Sequence, residues 1–275
     1  MEKAIISKLN KITKHKNCKL TCSGNAAILC ALSLARTAGK TRILIPDQGG
    51  WVSYKTYPEL LNLETAEIKT NAGIIKPGDL ESQLDNKCAL ILASFAGYFA
   101  EQPLKEISAV CKKKRTLLIE DVSGSIGCKN LCNGEYSDII IGSFGRHKLI
   151  DIGFGGFISV KDKQLFEKGR AVLSSTKFCA ALCDELSAQL DTLQDRLDFL
   201  LNLSGKIKKD LNDQDIIHKN KDGLNVIVRY HDDDKKEEII KYCKKNNYQF
   251  VICPKTYKVI EPAISIEVKR IKRGC

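Results

Sequence analysis

The sequence predicts an α/β protein, with a mainly parallel sheet in a major domain and a small α+β domain at the C-terminus. Three observations predict this. Short aliphatic and β-branched runs alternate with amphipathic helical stretches from Arg42 to Val160, the order that builds a parallel sheet with helices on both faces. Several of these runs, such as Ala89–Ala93 and Ile139–Ile141, are apolar throughout, as strands covered on both faces must be. After Ser204-Gly205 the composition shifts to lysine and aspartate, and a second, shorter set of elements begins.

Taken in order, Gly24–Thr37 reads as a helix, Arg42–Ile45 as a strand and Ser53–Leu61 as a helix. Strands follow at Thr65–Lys69 and Ala89–Ser94, a helix at Pro103–Lys113, and strands at Thr116–Glu120, Asp138–Gly142 and Gly156–Val160. Lys163–Leu173 and Ala180–Leu203 read as helices, the second long and amphipathic. The last segment gives a strand at Leu224–Tyr230, a helix at Asp233–Asn246 and strands at Gln249–Cys253 and Ala263–Val268. The expected organisation is a major domain over 1–205, including a linking helix, and a small domain over 206–275, at the low end of domain sizes.

At 275 residues, 43% hydrophobic and 28% charged, the chain is neither disordered, collagen-like nor a coiled coil. Its longest apolar runs are too short to cross a bilayer, and the N-terminal stretch lacks the apolar core of a signal peptide. A cytoplasmic protein without membrane contact is therefore expected. Lys and Arg number 44 against 33 Asp and Glu, a net charge of +11. The basic residues are dispersed over Lys11–Lys19, Lys112–Arg115, Lys206–Lys209, Lys235–Lys245 and Lys269–Arg273, with no aromatic residues interleaved. A nucleic-acid partner is left open but not favoured over a lysine-rich solvated surface. Three of the twelve cysteines' spacings are C-x3-C, at Cys18/Cys22, Cys128/Cys132 and Cys179/Cys183. Tetrahedral zinc sites more often use C-x2-C, and without a secretory signal a disulfide framework is not expected. The thiols read as small buried hydrophobes, with an iron–sulfur or redox role as the lesser alternative and no metal site expected.

Open α/β sheets bind ligands beyond the carboxyl ends of their strands. Three special positions fall there: Ser23-Gly24-Asn25 opening a helix, Asp121 ending a strand, and Ser143 ending another, with Lys148 five residues later. Each alone has an ordinary explanation as a cap or a turn. Together they supply what a pyridoxal-phosphate enzyme needs. Helix N-terminal amides and a hydroxyl bind a phosphate dianion, a carboxylate keeps the pyridinium nitrogen protonated, and a lysine forms the Schiff base.

The stretch from Leu20 to about Leu203 resembles the aspartate-aminotransferase-like, fold type I, superfamily of pyridoxal-phosphate enzymes, and within it the DegT/DnrJ/EryC1/StrS aminotransferases. CSGNAAILCALSLA resembles their phosphate-binding turn and first helix, and ILIPDQGGWVSY their proline and aromatic segment. The run from Lys76 through the Glu120-Asp121 pair to Gly127, and SDIIIGSFGRHKLIDIGFGG with its Ser-Phe-x-x-x-Lys, follow in the family's order. The resemblance implies Lys148 as the Schiff-base lysine and Asp121 as the partner of the ring nitrogen. It implies pyridoxal 5'-phosphate as cofactor, with Ser23, Gly24, Asn25 and Ser143 at its phosphate. Trp51 is the aromatic expected to stack on the ring, with Tyr54 or Tyr98 as alternatives. The family's glutamine three residues after the aspartate is Gly124 here, and Ser123 is the candidate to replace its hydrogen bond. The Asn-Tyr-Arg-Met segment of sugar aminotransferases is not recognisable around Ser174–Cys179.

Arg146, His147 and Arg229 are the candidates for substrate contacts: the arginines for a carboxylate, the histidine for proton transfer. The function expected is an aminotransferase taking a small-molecule amino donor and a carbonyl acceptor, assembled as a homodimer. A lyase, desulfurase or tRNA-dependent β-replacement enzyme is the alternative, as is a non-catalytic homologue that binds cofactor or RNA. The homodimer follows from the resemblance and from an apolar face expected to stay partly uncovered on Ala180–Leu203.

Overall fold

A computed structural model describes residues 1–272. Arg273, which ends the last basic cluster, and Cys275, one of the twelve cysteines, lie outside the described residues. The chain opens with α1 (Glu2–Thr13) and β1 (Asn17–Thr21), then α2 (Gly24–Thr37), β2 (Arg42–Pro46), α3 (Ser53–Leu60), β3 (Glu64–Ile68) and α4 (Pro77–Leu80). After β4 (Cys88–Ala93) come a small hairpin of β5 (Phe95–Ala96) and β6 (Ala100–Glu101), α5 (Leu104–Lys114), β7 (Leu117–Asp121), β8 (Ile139–Ser143) and β9 (Gly156–Val160). These build a seven-stranded sheet in the order β1-β9-β8-β7-β4-β2-β3. β3, β2, β4, β7 and β8 run parallel, while β9 is antiparallel to both β8 and β1.

Each strand expected between Arg42 and Val160 is present, shifted by no more than a residue at either end. The physical basis is visible in the side chains. Leu90 and Leu92 of β4 join the hydrophobic core on one face of the sheet, while Ala89 and Ile91 join the core on the other. Ile140 of β8 likewise faces away from Ile139 and Ile141. A continuous apolar run is what two covered faces require of a strand. The sequence reading missed α1 and β1. NCKLT is a short edge strand that pairs only with β9, and its half-buried lysine and asparagine hide the pattern of a buried strand.

The helices expected at Lys163–Leu173 and Ala180–Leu203 are each broken. The first becomes α6 (Lys163–Lys168) and α7 (Arg170–Ser175), joined at Gly169. The second becomes a 3₁₀ turn at Ala180–Leu182, then α8 (Cys183–Asp191) and α9 (Leu193–Asp210). Thr192 leaves the helical region between α8 and α9 at φ −102° and ψ 10°, and its hydroxyl donates to the Ala188 carbonyl at 3.3 Å, a local bond that competes with the helical ladder. α9 then runs unbroken through Ser204-Gly205. Leu186, Leu190, Leu193, Leu197 and Leu200 are all buried within the chain. The apolar face that argued for association is thus covered by the chain itself, with α1 packed on α8 and β11 (Val226–Arg229) on α9.

The C-terminal elements are β10 (Asp215–Ile216), β11, α10 (Asp233–Lys245), β12 (Phe250–Ile252) and β13 (Ala263–Ile266), ending in a 3₁₀ turn at Val268–Arg270. The strands form an antiparallel sheet in the order β10-β11-β13-β12. Asp232 caps α10 by accepting from the Lys235 amide at 2.7 Å, the standard satisfaction of a first-turn donor. Among the described residues no helix is long and apolar enough to cross a membrane.

Alternation along β7 separates two neighbouring carboxylates. Glu120 turns into the interior, where Ser94 Oγ and the Cys132 amide donate to Oε1 at 2.6 and 2.8 Å and Ser137 Oγ donates to Oε2 at 2.6 Å. Burial pushes its carboxyl pKa up against these three donors. Glu120→Ala strips three buried donors of their acceptor, and a loss of stability on the order of 3 kcal/mol or more is expected in chemical denaturation.

Candidate functional site

Asp121 ends β7, Ser143 ends β8 and Gly24 begins α2, so all three meet at the carboxyl edge of the parallel strands. Two adjoining cavities open there, of ≈ 290 Å³ and ≈ 360 Å³. Trp51, Asp121, Ser123, Arg146 and Lys148 line both and form the wall between them.

The smaller cavity holds Ser23, Gly24, Asn25 and Ser143. Ser23 caps α2, its hydroxyl accepting from the Ala26 amide at 3.0 Å. Asn25 Oδ1 accepts from Trp51 Nε1 at 2.9 Å and from Ser53 Oγ at 3.2 Å, so this side chain fixes the indole. Ser143 Oγ accepts from the Gly145 amide at 3.2 Å. A Cβ on Gly24 would stand 2.5 Å from Ser143 Cβ, so only glycine lets the helix start approach the end of β8. α2 has no acidic residue in its first turn, and its positive end suits an anion.

Asp121 is held from two sides. The buried Tyr54 hydroxyl donates to Oδ2 at 2.6 Å, and the Ser123 amide donates to Oδ1 at 2.9 Å. Burial first, then the adjacent Asp121 charge, pushes the Tyr54 phenol well above its usual range, so it stays a donor. Lys148 Nζ donates to Tyr98 Oη at 2.7 Å and lies 4.9 Å from the centroid of the Trp51 ring. Burial works against the Lys148 ammonium, but Tyr98, Asp121 and Glu267 together outweigh it and raise its pKa.

Of the aromatic candidates, Trp51 stands at both cavities at 38% exposure. Tyr54 is the partner of Asp121 and Tyr98 the partner of Lys148. Ser123 Oγ accepts from the Ser143 amide at 3.0 Å, which ties β7 to β8. At Gly124 a Cβ would meet the Tyr98 ring at 2.6 Å. The space a glutamine side chain would need at 124 is filled by tyrosine.

Arg146 and His147 are exposed at the mouth, and the His147 amide donates to Asp151 Oδ2 at 2.7 Å. Arg229 is not brought to the site. Its guanidinium is paired with Asp215 at 2.7 Å and Glu261 at 2.5 Å and lines neither cavity. Its two carboxylate partners occupy the fork that a substrate carboxylate would need.

The sequence reading missed the opposite wall of the larger cavity, formed by Tyr257, Lys258, Glu267, Lys269 and Arg270 of the C-terminal elements. Of the basic cluster beginning at Lys269, Lys269 itself is buried and Arg270 partly so, while Lys272 is exposed. Lys258, Glu267 and Lys269 are buried, and no local pattern distinguishes such lysines from solvated ones. The described cysteines are all free, most of them buried, and none lines either cavity. Among the described residues no group of three or more His, Cys, Asp and Glu is arranged to hold a metal ion.

This constellation fits pyridoxal 5'-phosphate. A glycine-floored cradle at a helix N-terminus suits the phosphate, a held carboxylate suits the pyridinium nitrogen, and a lysine stands beside an indole between them. Gly24→Ala forces Ser143 aside from that cradle. An increase of at least about tenfold in the cofactor's Kd is expected, with a lowered melting temperature because the start of α2 must also back away from β8, by absorbance titration and thermal denaturation.

Two family profiles match the chain. That of the DegT/DnrJ/EryC1/StrS aminotransferase family covers residues 2–180, and that of the MJ1341 family C-terminal domain covers residues 194–275. No curated protein matches the sequence. Among solved structures, serine palmitoyltransferase from Sphingomonas wittichii superposes with a TM-score of 0.74 at 16% identity, covering 96% of this chain and 70% of its own. A 3-amino-5-hydroxybenzoic acid synthase gives 0.76 at 11% identity, covering 98% and 86%. A protein assigned as a sugar aminotransferase from Streptococcus pneumoniae, in its pyridoxal-phosphate form, gives 0.70 at 14% identity, covering 97% and 86%. At these identities the likeness shows the fold; the profile over residues 2–180 shows the family. The chain belongs to the DegT/DnrJ/EryC1/StrS aminotransferase family, pyridoxal-phosphate-dependent transferases of fold type I.

Proposed function

We propose that the protein is an aminotransferase that moves an amino group from an amino-acid donor to a carbonyl acceptor, with Lys148 carrying the cofactor. The observation that carries this reading is the shared wall of the two cavities. It sets Lys148, Asp121 and Trp51 together, with a phosphate cradle on one side and room for a small substrate on the other. No cysteine among the described residues reaches either cavity, which removes the support that the cysteine count lent to a desulfurase.

Bound there, pyridoxal phosphate supplies a conjugated ring that accepts the electron pair left when the proton α to the substrate's amino group departs. The chain's own groups do the rest. The first-turn amides of α2 and the Ser143 hydroxyl hold the phosphate. Asp121 would hold a proton at the ring nitrogen, and Tyr54 and the Ser123 amide keep its carboxylate aimed. Trp51, fixed by Asn25, shields one face from water. Lys148 Nζ, once freed by the donor amine, would serve as the general base for the α-proton and as the acid that redelivers it on the far side of the substrate nitrogen. The Tyr98 hydroxyl, 2.7 Å away, positions that amine.

A homodimer is part of the proposal. Trp51 and Val52 are apolar side chains exposed at the cavity mouth, a surface suited to a second copy. Light scattering of cofactor-loaded protein is expected to give twice the chain's 30.6 kDa; a single-chain mass with full activity ends that part.

Borohydride treatment of loaded protein is expected to fix the cofactor on Lys148, seen by peptide mapping, and an adduct elsewhere overturns the assignment. Lys148→Gln is expected to slow the amino-acid half-reaction on the order of 10²- to 10⁴-fold. Asp121→Asn should slow it while cofactor loading stays near normal; an unchanged rate would make Asp121 a structural cap.

A further inference from the structure

The C-terminal wall of the larger cavity has a charge pattern that the cofactor's needs leave unexplained. Lys258, Lys269 and Arg270 surround the single carboxylate of Glu267. Lys258 Nζ pairs with Glu267 Oε1 at 2.7 Å, at 2% and 1% exposure, and also donates to the Gly97 carbonyl at 3.3 Å. Asn225 and Ser265 donate to the same Oε1 at 3.2 and 2.8 Å. That half of the cluster is satisfied. The other half is met only in part, by Arg270 Nη1 donating to Gln249 Oε1 at 3.1 Å. Lys269 Nζ and Arg270 Nε stand 3.7 and 3.6 Å from Oε2, beyond hydrogen-bond range. Glu267 Oε2 and Arg270 Nε are buried without a hydrogen-bond partner. Lys269 Nζ lies 3.9 Å over the Tyr98 ring, whose hydroxyl takes the hydrogen bond from Lys148.

Burying cations in excess of their counter-charge costs free energy unless an anion completes the site. Surplus charge of this kind gathered in a cleft is a mark of ligand recognition. We propose that Lys269 and Arg270, backed by Lys258 and Glu267, form a second anion subsite that selects a substrate bearing a carboxylate remote from the reacting carbon. The subsite rests on the reading of the larger cavity as the substrate's place. It lies beyond residues 2–180, which the aminotransferase family's profile matches, in the segment matched by the MJ1341 family C-terminal domain profile, so it is an element of the C-terminal region and not of the aminotransferase profile. Tyr98 joins the two functions, with Lys148 at its hydroxyl and Lys269 on its ring.

The protonation of Lys269 supports this geometry. Burial first, then the charges of Lys258, Lys148 and Arg270, lower its pKa to about 7 against the opposing pull of Glu267. Its ammonium is therefore lost as pH rises through that value, and a bound anion restores it. Anion binding on the alkaline side must draw a proton from solution and weaken as pH rises.

The test is calorimetric titration of cofactor-loaded protein, whose phosphate cradle is filled, with glutarate and with its uncharged diamide, glutaramide. Saturable binding of glutarate alone is expected, with proton uptake at slightly alkaline pH seen by comparing buffers of different ionisation enthalpy. Lys269→Gln is expected to weaken glutarate at least about tenfold and to abolish the proton uptake. Its melting temperature should hold or rise, because a buried like-charge contact is relieved. Arg270→Gln, on the half-buried side of the cluster, gives the same affinity measurement if the first variant does not fold. Equal glutarate affinity in the variants, or none in the parent protein, overturns the subsite; a fall in melting temperature with unchanged glutarate affinity reduces the cluster to a structural ion pair. Protein that takes up no pyridoxal phosphate yet binds glutarate through Lys269 overturns the aminotransferase reading and leaves the subsite standing.

Discussion

The site depends on one held carboxylate. Asp121 sits at the end of β7, nearly buried, with the Tyr54 hydroxyl on one oxygen and the Ser123 amide on the other. A buried anion costs several kcal/mol unless donors and a cation meet it, and these two donors stabilise the charge without neutralising it. Tyr54 serves because burial and the carboxylate itself keep its phenol protonated. The negative charge is left directed at the cavity, where a protonated ring nitrogen is the complementary group.

Sheet geometry puts that carboxylate where it can act. Side chains alternate along β7, so Glu120 and Asp121, adjacent in sequence, serve opposite faces. Glu120 locks Ser94, Ser137 and the Cys132 amide together beneath the sheet, and Asp121 faces the cavity. The parallel arrangement of β4, β7 and β8 then gathers their carboxyl ends on one edge beside the start of α2. Ser123 ties two of those strands through the Ser143 amide, and Gly24 lets the helix close onto them. The start of α2 and the carboxylate are therefore fixed relative to each other by backbone geometry.

Electrostatic complementarity extends across the cavity through aromatic rings. Tyr98 receives a hydrogen bond from Lys148 at its hydroxyl and a cation on its face from Lys269. Its ring also fills the space beside Gly124 where the family carries a glutamine. One residue thus spaces two lysines, one held above its ordinary pKa against burial by Tyr98 itself, Asp121 and Glu267, and the other lowered to about 7 by burial first and then by nearby cations. The C-terminal elements, through Lys258 and Glu267, set that second environment.

Much of this was legible in the sequence. Uninterrupted apolar runs identified the buried strands, because a strand covered on both faces has no polar side to show. The glycine and serine opening α2, the aspartate ending β7 and the lysine after β8 were legible because each lies within a few residues of the element that positions it. Tertiary structure decided the rest. Lys269 read as a surface lysine and Lys258 drew no reading, since nothing local distinguishes a lysine that folding buries beside a distant carboxylate. Tyr54 and Tyr98 were legible as candidate ring-stacking aromatics, but their pairing with Asp121 and Lys148 depends on side chains 67 and 50 residues away. Arg229 read as free to bind substrate until Asp215 and Glu261 closed on it across the small sheet. Sequence determines what lies along a strand and at its end, because those neighbours are covalent; which charges share one cavity is set only when separate elements pack.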